Sequence, residues 1–179
     1  MTASELVIIN YPDPRLRKRC AQLEQINDEV RVVAARMVEL MQDVHGVGLA
    51  APQVGLLWRL FVCQPGEGAA VRIFVNPTLT PGPELESGEE GCLSIPDVTV
   101  TVQRSKTCEI HATDLDGRAI HLRAEGLPSR AWQHENDHLD GRLIVDVMNE
   151  AEKIANRKAL KQLEKEYKML HRKARPARR

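Results

Sequence analysis

Apolar residues recur on one helical face at Val30, Val33, Ala34, Met37, Leu40, Met41 and Val44. Asn27 can cap the start of that run and Gly46 follows its end, so the spacing predicts a helix over about 27–44. Segments 58–63 and 71–76 are short, apolar and rich in β-branched residues, which predicts strands. Val98, Val100 and Val102 alternate with polar residues, as do Cys108, Ile110 and Ala112. Asp116-Gly117 then reads as a hairpin turn, with Ile120 and Leu122 on the returning strand. Pro128 suits the first turn of a second helix that stops near Asp140-Gly141. A third helix is predicted over about 149–173, begun by a capping-box pattern at Asn149 and Glu152 and ended by Pro176. Its apolar stripe is narrow: Ile154, Leu160, Leu163, Tyr167 and Leu170. Strands in the middle with helices towards both ends predict an α+β fold.

At 179 residues the chain is long enough for one well-buried core. Aromatics make up only 3%, so that core must be built from aliphatic side chains. No apolar run reaches the length of a membrane span, and the N-terminus lacks a basic start followed by an apolar stretch, so a cytoplasmic location is expected. Cys20, Cys63, Cys92 and Cys108 are scattered without CxxC spacing, which argues against a disulfide framework and for burial of three of them as small apolar residues. The zero net charge hides an asymmetry. Residues 152–179 hold 11 Lys/Arg against 3 Glu, a net of +8, which leaves −8 on residues 1–151. A basic tail on an acidic body points to a polyanionic partner.

The strongest candidate chemistry is HENDH at 134–138. Residues four apart on a helix lie above one another, so His134 and His138 can ligate one metal ion. Glu135 between them can act as a base on water held there. A third ligand is needed. The HExxHxxGxxH continuation of zinc peptidases survives as far as Gly141 but meets Ile144 where its last histidine would stand. A glutamate ligand would be Glu150, Glu152, Glu164 or Glu166, all explained by the cap and solvated face of the last helix. Cys92, in the segment Glu89-Glu90-Gly91-Cys92-Leu93-Ser94, is a sharper candidate because its neighbouring glycine permits close backbone approach. A half-buried cysteine in a turn is the other reading of that segment. The glycines of GVGLAAPQ at 46–53 are not followed by Lys-Ser/Thr, which argues against a nucleotide-binding loop.

These three segments, GVGLAAPQ (46–53), EGCLS (90–94) and HENDH (134–138), stand in the order of the three motifs of the peptide deformylases. The chain resembles that family over about residues 7–148, with YPDPRLR near the N-terminus, FVNP at 74–77, and DLDG through AEGL to QHENDHLDG extending the likeness. The resemblance implies small mixed or antiparallel sheets around a central helix bearing the HExxH motif, with a C-terminal helix beyond. It implies a bacterial cytoplasmic hydrolase that removes the formyl group from the N-terminal formyl-methionine of newly made proteins. Cys92, His134 and His138 are implied as metal ligands and Glu135 as the catalytic acid/base. Gln53 and the backbone N–H of Leu93 are implied as donors to the substrate carbonyl oxygen. The implied metal is Fe²⁺, with Zn²⁺, Ni²⁺ or Co²⁺ able to take its place. Coordination chemistry alone makes zinc the default for a Cys-His-His set.

Helical spacing puts Leu127, Arg130 and Ala131 on the face of the two histidines, so Leu127, Ala131 and the Arg130 stem are expected to wall a methionine pocket. Val47 and Gly48 are expected beside the peptide backbone. Glu90 is expected to orient a ligating histidine, and Arg104 to pair with Asp137. Pro128, Ser129 and Trp132 are expected near the same pocket, while Asn136 stands where the family commonly has an apolar residue. Residues 1–150 read as the catalytic domain. Residues 151–179 read as a basic helical extension, packed on that domain or projecting from it and expected to meet ribosomal RNA or an acidic ribosomal surface. No membrane or DNA partner is expected. Two competing readings are a zinc peptidase, disfavoured by Ile144 and by EGCLS, and a non-catalytic deformylase-like protein that binds ribosomes or nascent chains. Intact Cys92, Glu135 and Gln53 argue against the second.

Overall fold

A computed structural model describes residues 3–66 and 68–173. Its α-helices are α1 (Asp28–Asp43), α2 (Leu127–Leu139) and α3 (Glu150–Lys173). Its strands are β1 (Gly48–Ala50), β2 (Leu60–Cys63), β3 (Arg72–Pro81), β4 (Leu85–Cys92), β5 (Ile95–Ser105), β6 (Thr107–Thr113) and β7 (Ala119–Glu125). Five of them form one sheet in the order β1-β2-β3-β6-β7, and β4 pairs with β5 in a second. Every pairing of named strands is antiparallel. The expectation of mixed or antiparallel sheets therefore narrows to antiparallel, with one isolated parallel bridge between Ala21 and Trp58. No helix among the described residues is long and apolar enough to cross a membrane.

Local chemistry explains most of these elements. The Asn27 side chain accepts from the Val30 N–H at 3.1 Å and caps α1. Val30, Val33, Ala34, Met37 and Met41 form the helix's buried stripe. The FVNP segment breaks the β3–β6 ladder between Val75 and Thr78. There Asn76 takes a left-handed conformation (φ 50°), and its amide clamps the Leu23 N–H and carbonyl at 2.8 Å each. Phe61, Phe74, Ile110, Ala131, Trp132 and Leu139 share one apolar cluster, which packs α2 on the five-stranded sheet. The β4–β5 hairpin contributes Ile95, Val98, Val100 and Val102 to another.

α3 starts at a reciprocal capping box, with Glu152 N–H donating to the Asn149 side chain at 2.9 Å and Asn149 N–H to the Glu152 carboxylate at 3.0 Å. The same carboxylate accepts from Thr101 N–H at 2.7 Å, and Asn156 donates to the Thr99 carbonyl at 3.0 Å. Leu163 is buried among the β5 valines, so α3 lies along that strand. Pro176 falls outside the described residues.

Four strands depart from the sequence expectation: β1 and β4 stand where no strand is predicted, and β2 and β3 differ in their bounds. β1 is only three residues long and buried throughout, so it shows no alternation. β4 buries only Glu90 along its length, because its inner face is polar. β2 begins at Leu60 rather than Trp58, and β3 runs on to Pro81.

Candidate active site

α2 carries His134, Glu135 and His138 into the space between the two sheets. His138 and Glu135 are buried, and the imidazoles of His134 and His138 lie 5.0 Å apart, centroid to centroid, at 71°. Cys92 arrives from the other side as the last residue of β4. Its Sγ sits 3.2 Å from His138 Nε2. Ligand atoms of Cys92, His134 and His138 all fall within 4.8 Å of one another. A two-residue turn, Leu93-Ser94, makes this possible by pairing Cys92 with Ile95 and holding the sulfur at the hairpin's tip.

Behind the ligands stands a dense charge network. Glu90 faces His134 Nδ1 at 2.9 Å, which turns Nε2 of that ring towards Cys92 and the other ligand atoms. Arg104 grips the same carboxylate with two hydrogen bonds of 2.9 Å and also donates to Asp137. Arg130 adds a third cationic contact to Glu90 at 2.8 Å, and donates to the Val102 and Glu86 carbonyls. Burial disfavours a charged Glu90, but hydrogen bonds from His134 and Arg104 outweigh it and hold its carboxyl down at about 2. Burial likewise pulls His134 down, yet its hydrogen bonds to Cys92 and Glu90 raise it well above its ordinary value. His138 goes the other way: burial, then the charge on His134, keep its imidazole neutral. Glu135 is pushed up to about 7, chiefly by burial.

The donor set fits a divalent metal. A thiol and two imidazoles converge, and one of those imidazoles is held neutral as a ligand must be. Among the described residues, Glu135 Oε2 and His138 Nδ1 are buried without a hydrogen-bond partner, although such groups seldom go unpaired.

A cleft of about 470 Å³ opens over this cluster. Val47, Gly48 and Gln53 line one side, Cys92 and Leu93 another, and Leu127, Arg130, Ala131, His134 and Glu135 line the α2 side. Gly48 is required here by contact: a Cβ at that position would fall 2.3 Å from the Glu135 carboxylate. Gln53 is buried, with its carbonyl oxygen accepting from Ala50 N–H at 2.7 Å and its amide nitrogen 3.6 Å from Cys92 Sγ. Its amide is thereby aimed at the cluster.

Ser129 and Trp132 are not at the cleft, contrary to expectation. Ser129 donates to the Ser105 carbonyl at 3.0 Å, and Trp132 stands edge-on to Phe74 at 5.5 Å. Both occupy the core-facing side of α2, away from the stripe of Arg130, His134 and His138. Asn136 faces a third direction, accepting from Arg59 at 3.2 Å. Sequence reasoning missed the guanidinium of Arg130 as a partner of Glu90, since 40 positions separate them. It also missed the strap formed by Ile9 and Tyr11, whose N–H groups donate to the Gln53 and Ser94 carbonyls at 2.8 Å each. Main-chain contacts of this kind leave no mark on side-chain identity.

Known proteins share this fold. A family model described as polypeptide deformylase matches residues 6–154. The chain is 41% identical over 160 residues to a peptide deformylase of Alkalilimnicola ehrlichii, covering 88% of this chain and 90% of that one. It is 44% identical over 134 residues to peptide deformylase 1 of Clostridium perfringens, covering 75% and 91%. A crystal structure of a peptide deformylase from Legionella pneumophila superimposes with a TM-score of 0.84 at 34% identity, covering 89% and 95%. With three-quarters or more of the chain aligned at this identity, and the fold shared, the chain belongs to the polypeptide deformylase family.

Proposed function

We infer that this chain is a peptide deformylase, hydrolysing the N-formyl amide of formyl-methionyl peptides to formate and a free N-terminal amine. The observation that carries this reading is the convergence of Cys92, His134 and His138 beside the buried Glu135 at one cleft, in a chain of this family. Cys92, His134 and His138 hold the metal, which is Fe²⁺ in the cell, with Zn²⁺, Ni²⁺ or Co²⁺ able to replace it in preparations. When bound, the metal supplies Lewis acidity, lowering the pKa of water and drawing charge from a carbonyl oxygen.

The chain's own groups do the rest. Glu135 takes a proton from the attacking water and returns one to the departing amine nitrogen, as the formyl C–N bond breaks. A carboxyl near neutrality suits both halves of that exchange. The Gln53 amide and the Leu93 N–H donate to the formyl oxygen as negative charge develops on it, and losing one such donor costs about 2.7–4 kcal/mol. Glu90 fixes the His134 ring, while Arg104 and Asp137 hold Glu90 in turn. Leu127, Ala131 and the Arg130 stem form the wall for the methionine side chain. Val47 and Gly48, at the start of the outer strand β1, lie along the peptide backbone.

Anaerobic purification with metal analysis, followed by formate release from formyl-Met peptides, tests the assignment. Glu135→Gln is expected to keep its metal while kcat/KM falls about 10²–10⁴-fold. No formate from any iron- or nickel-loaded sample would reject it.

The substrate places the enzyme in bacterial cytoplasm, near translating ribosomes. Lys161, Lys165, Lys168 and Arg172 are exposed along α3, which suits an RNA backbone or an acidic protein surface. Residues 1–150 form the catalytic domain and 151–179 its basic extension. Because Leu163 is buried against β5, charge reversal on the exposed face is a cleaner test than truncation. Reversing these four charges should abolish low-salt co-sedimentation with ribosomes while formate release persists. Unchanged co-sedimentation would sink the docking role.

A further inference from the structure

Among the described residues, a second grouping of metal-ligating side chains lies on the sheet face turned away from α2. Ile110 in β6, with Ile120 and Leu122 in β7, belongs to the cluster that packs against Trp132. Strand alternation therefore turns Glu109, His111 and His121 to the opposite face. The ladder runs unbroken from Thr107↔Glu125 to Thr113↔Ala119 and sets His111 directly across from His121. Their rings stack with centroids 4.0 Å apart and 17° between planes. Glu109, two positions before His111, brings a carboxylate oxygen to 3.6 Å from His121 Nε2. Ligand atoms from all three residues lie within 4.8 Å of one another.

We propose that Glu109, His111 and His121 form a second metal site, selective for a borderline divalent transition ion such as Zn²⁺, Ni²⁺ or Cu²⁺. Imidazole suits these ions, and a single carboxylate completes a three-ligand set that leaves water the remaining positions. Two donors on one such ion sit at most about 4 Å apart, since each bond is about 2.0–2.2 Å. Closing from the present spacing takes only small rotations of exposed side chains, because the ladder already fixes the backbone. Hard ions such as Mg²⁺ and Ca²⁺ are disfavoured, as they demand mostly oxygen ligands. Arg123 stands opposite Glu109 in the ladder, and its positive charge on the same face opposes a bound cation and limits the affinity. The site is independent of the catalytic ligands, which lie on the other side of the sheet.

The test uses the full chain with its catalytic site loaded with Ni²⁺ and the excess removed. Zn²⁺ is then titrated in competition with a chromophoric chelator, and Mg²⁺ serves as the hard-ion control. One further equivalent of zinc is expected. Loss of a mere outer-shell partner costs about 10–100-fold in affinity, so His111→Ala or His121→Ala should weaken that equivalent by at least as much. Arg123→Ala should tighten it. Formate release should be unchanged in all three variants, which also reports that they fold. Ring resonances of His111 and His121 should broaden on addition of Cu²⁺. The proposal is overturned if no further equivalent binds, or if the His111→Ala/His121→Ala double variant binds it as tightly as the parent.

Discussion

Among the described residues, histidines gather with an acid or thiol twice, once between the sheets and once on an outer sheet face, and the two groups differ in almost everything except ligand type. His138 is buried and His134 nearly so, and Glu90, Arg104 and Arg130 lock the latter in place. His111 and His121 stand in solvent, positioned only by strand register. Charges removed from water must be paired, so the inner group comes with a network that fixes ring orientation and shifts acidities. The outer group needs no such support and can gain none of its effects. Ligand residues alone therefore make a binding site, whereas buried partners turn one into a reactive centre.

The largest separation between the two groups should appear on removing a ligand. Cys92→Ala is expected to lose the catalytic metal and take formate release to background, measured by metal content per chain alongside turnover. His111→Ala should leave both untouched. Retention of metal and activity in Cys92→Ala would dissolve the distinction.

Next in size is the cost of breaking the charge network. Arg104→Met leaves Glu90 and Asp137 without their shared cation in a buried setting. Removing one partner of a buried pair costs about 3–5 kcal/mol, and Arg130 should hold the loss near the lower end. Arg123→Met on the outer face should stay within about 0.5 kcal/mol. Urea unfolding of both variants checks the contrast, and equal losses would remove the argument from burial. The same network predicts an acid limb. Glu90 is held at about 2 in the folded chain against an ordinary 4.5. A depressed value means that its contribution is complete above about 4.5 and is lost as the pH falls towards 2. Glu90→Gln should flatten that limb of the stability profile.

The same contrast governs how much could be read from sequence. α1, α2 and α3 were legible because each buries one stripe, and β5, β6 and β7 because they alternate. β4 was not, since its single buried side chain is Glu90 and its inner face serves a polar network rather than an apolar core. β1 was too short and too uniformly buried to show a period. In the site, His134, Glu135 and His138 announced themselves by local spacing, whereas Cys92 needed the company of two other motifs. The Arg130–Glu90 contact, formed across 40 positions, had no local sign at all. Ser129 and Trp132 were misplaced for a simpler reason: nearness in sequence was given more weight than the helical angle that turns them to the core.

The smallest expected effect bears on the outer pair itself. In chelator, a double-mutant cycle on His111 and His121 should give a coupling of only about 0.2–1 kcal/mol, the usual range for a cross-strand pair. Zinc changes the reference, because an ion bound to the folded chain alone adds RT ln(1 + [L]/Kd), about 2.7 kcal/mol at a free concentration some hundred times Kd. Either single variant should lose most of that increment, so the apparent coupling should grow several-fold on going from chelator to zinc. A stacked pair with no affinity for metal would give the same small coupling in both. The measurement thus separates two histidines held together by register from two histidines that act as one ligand set.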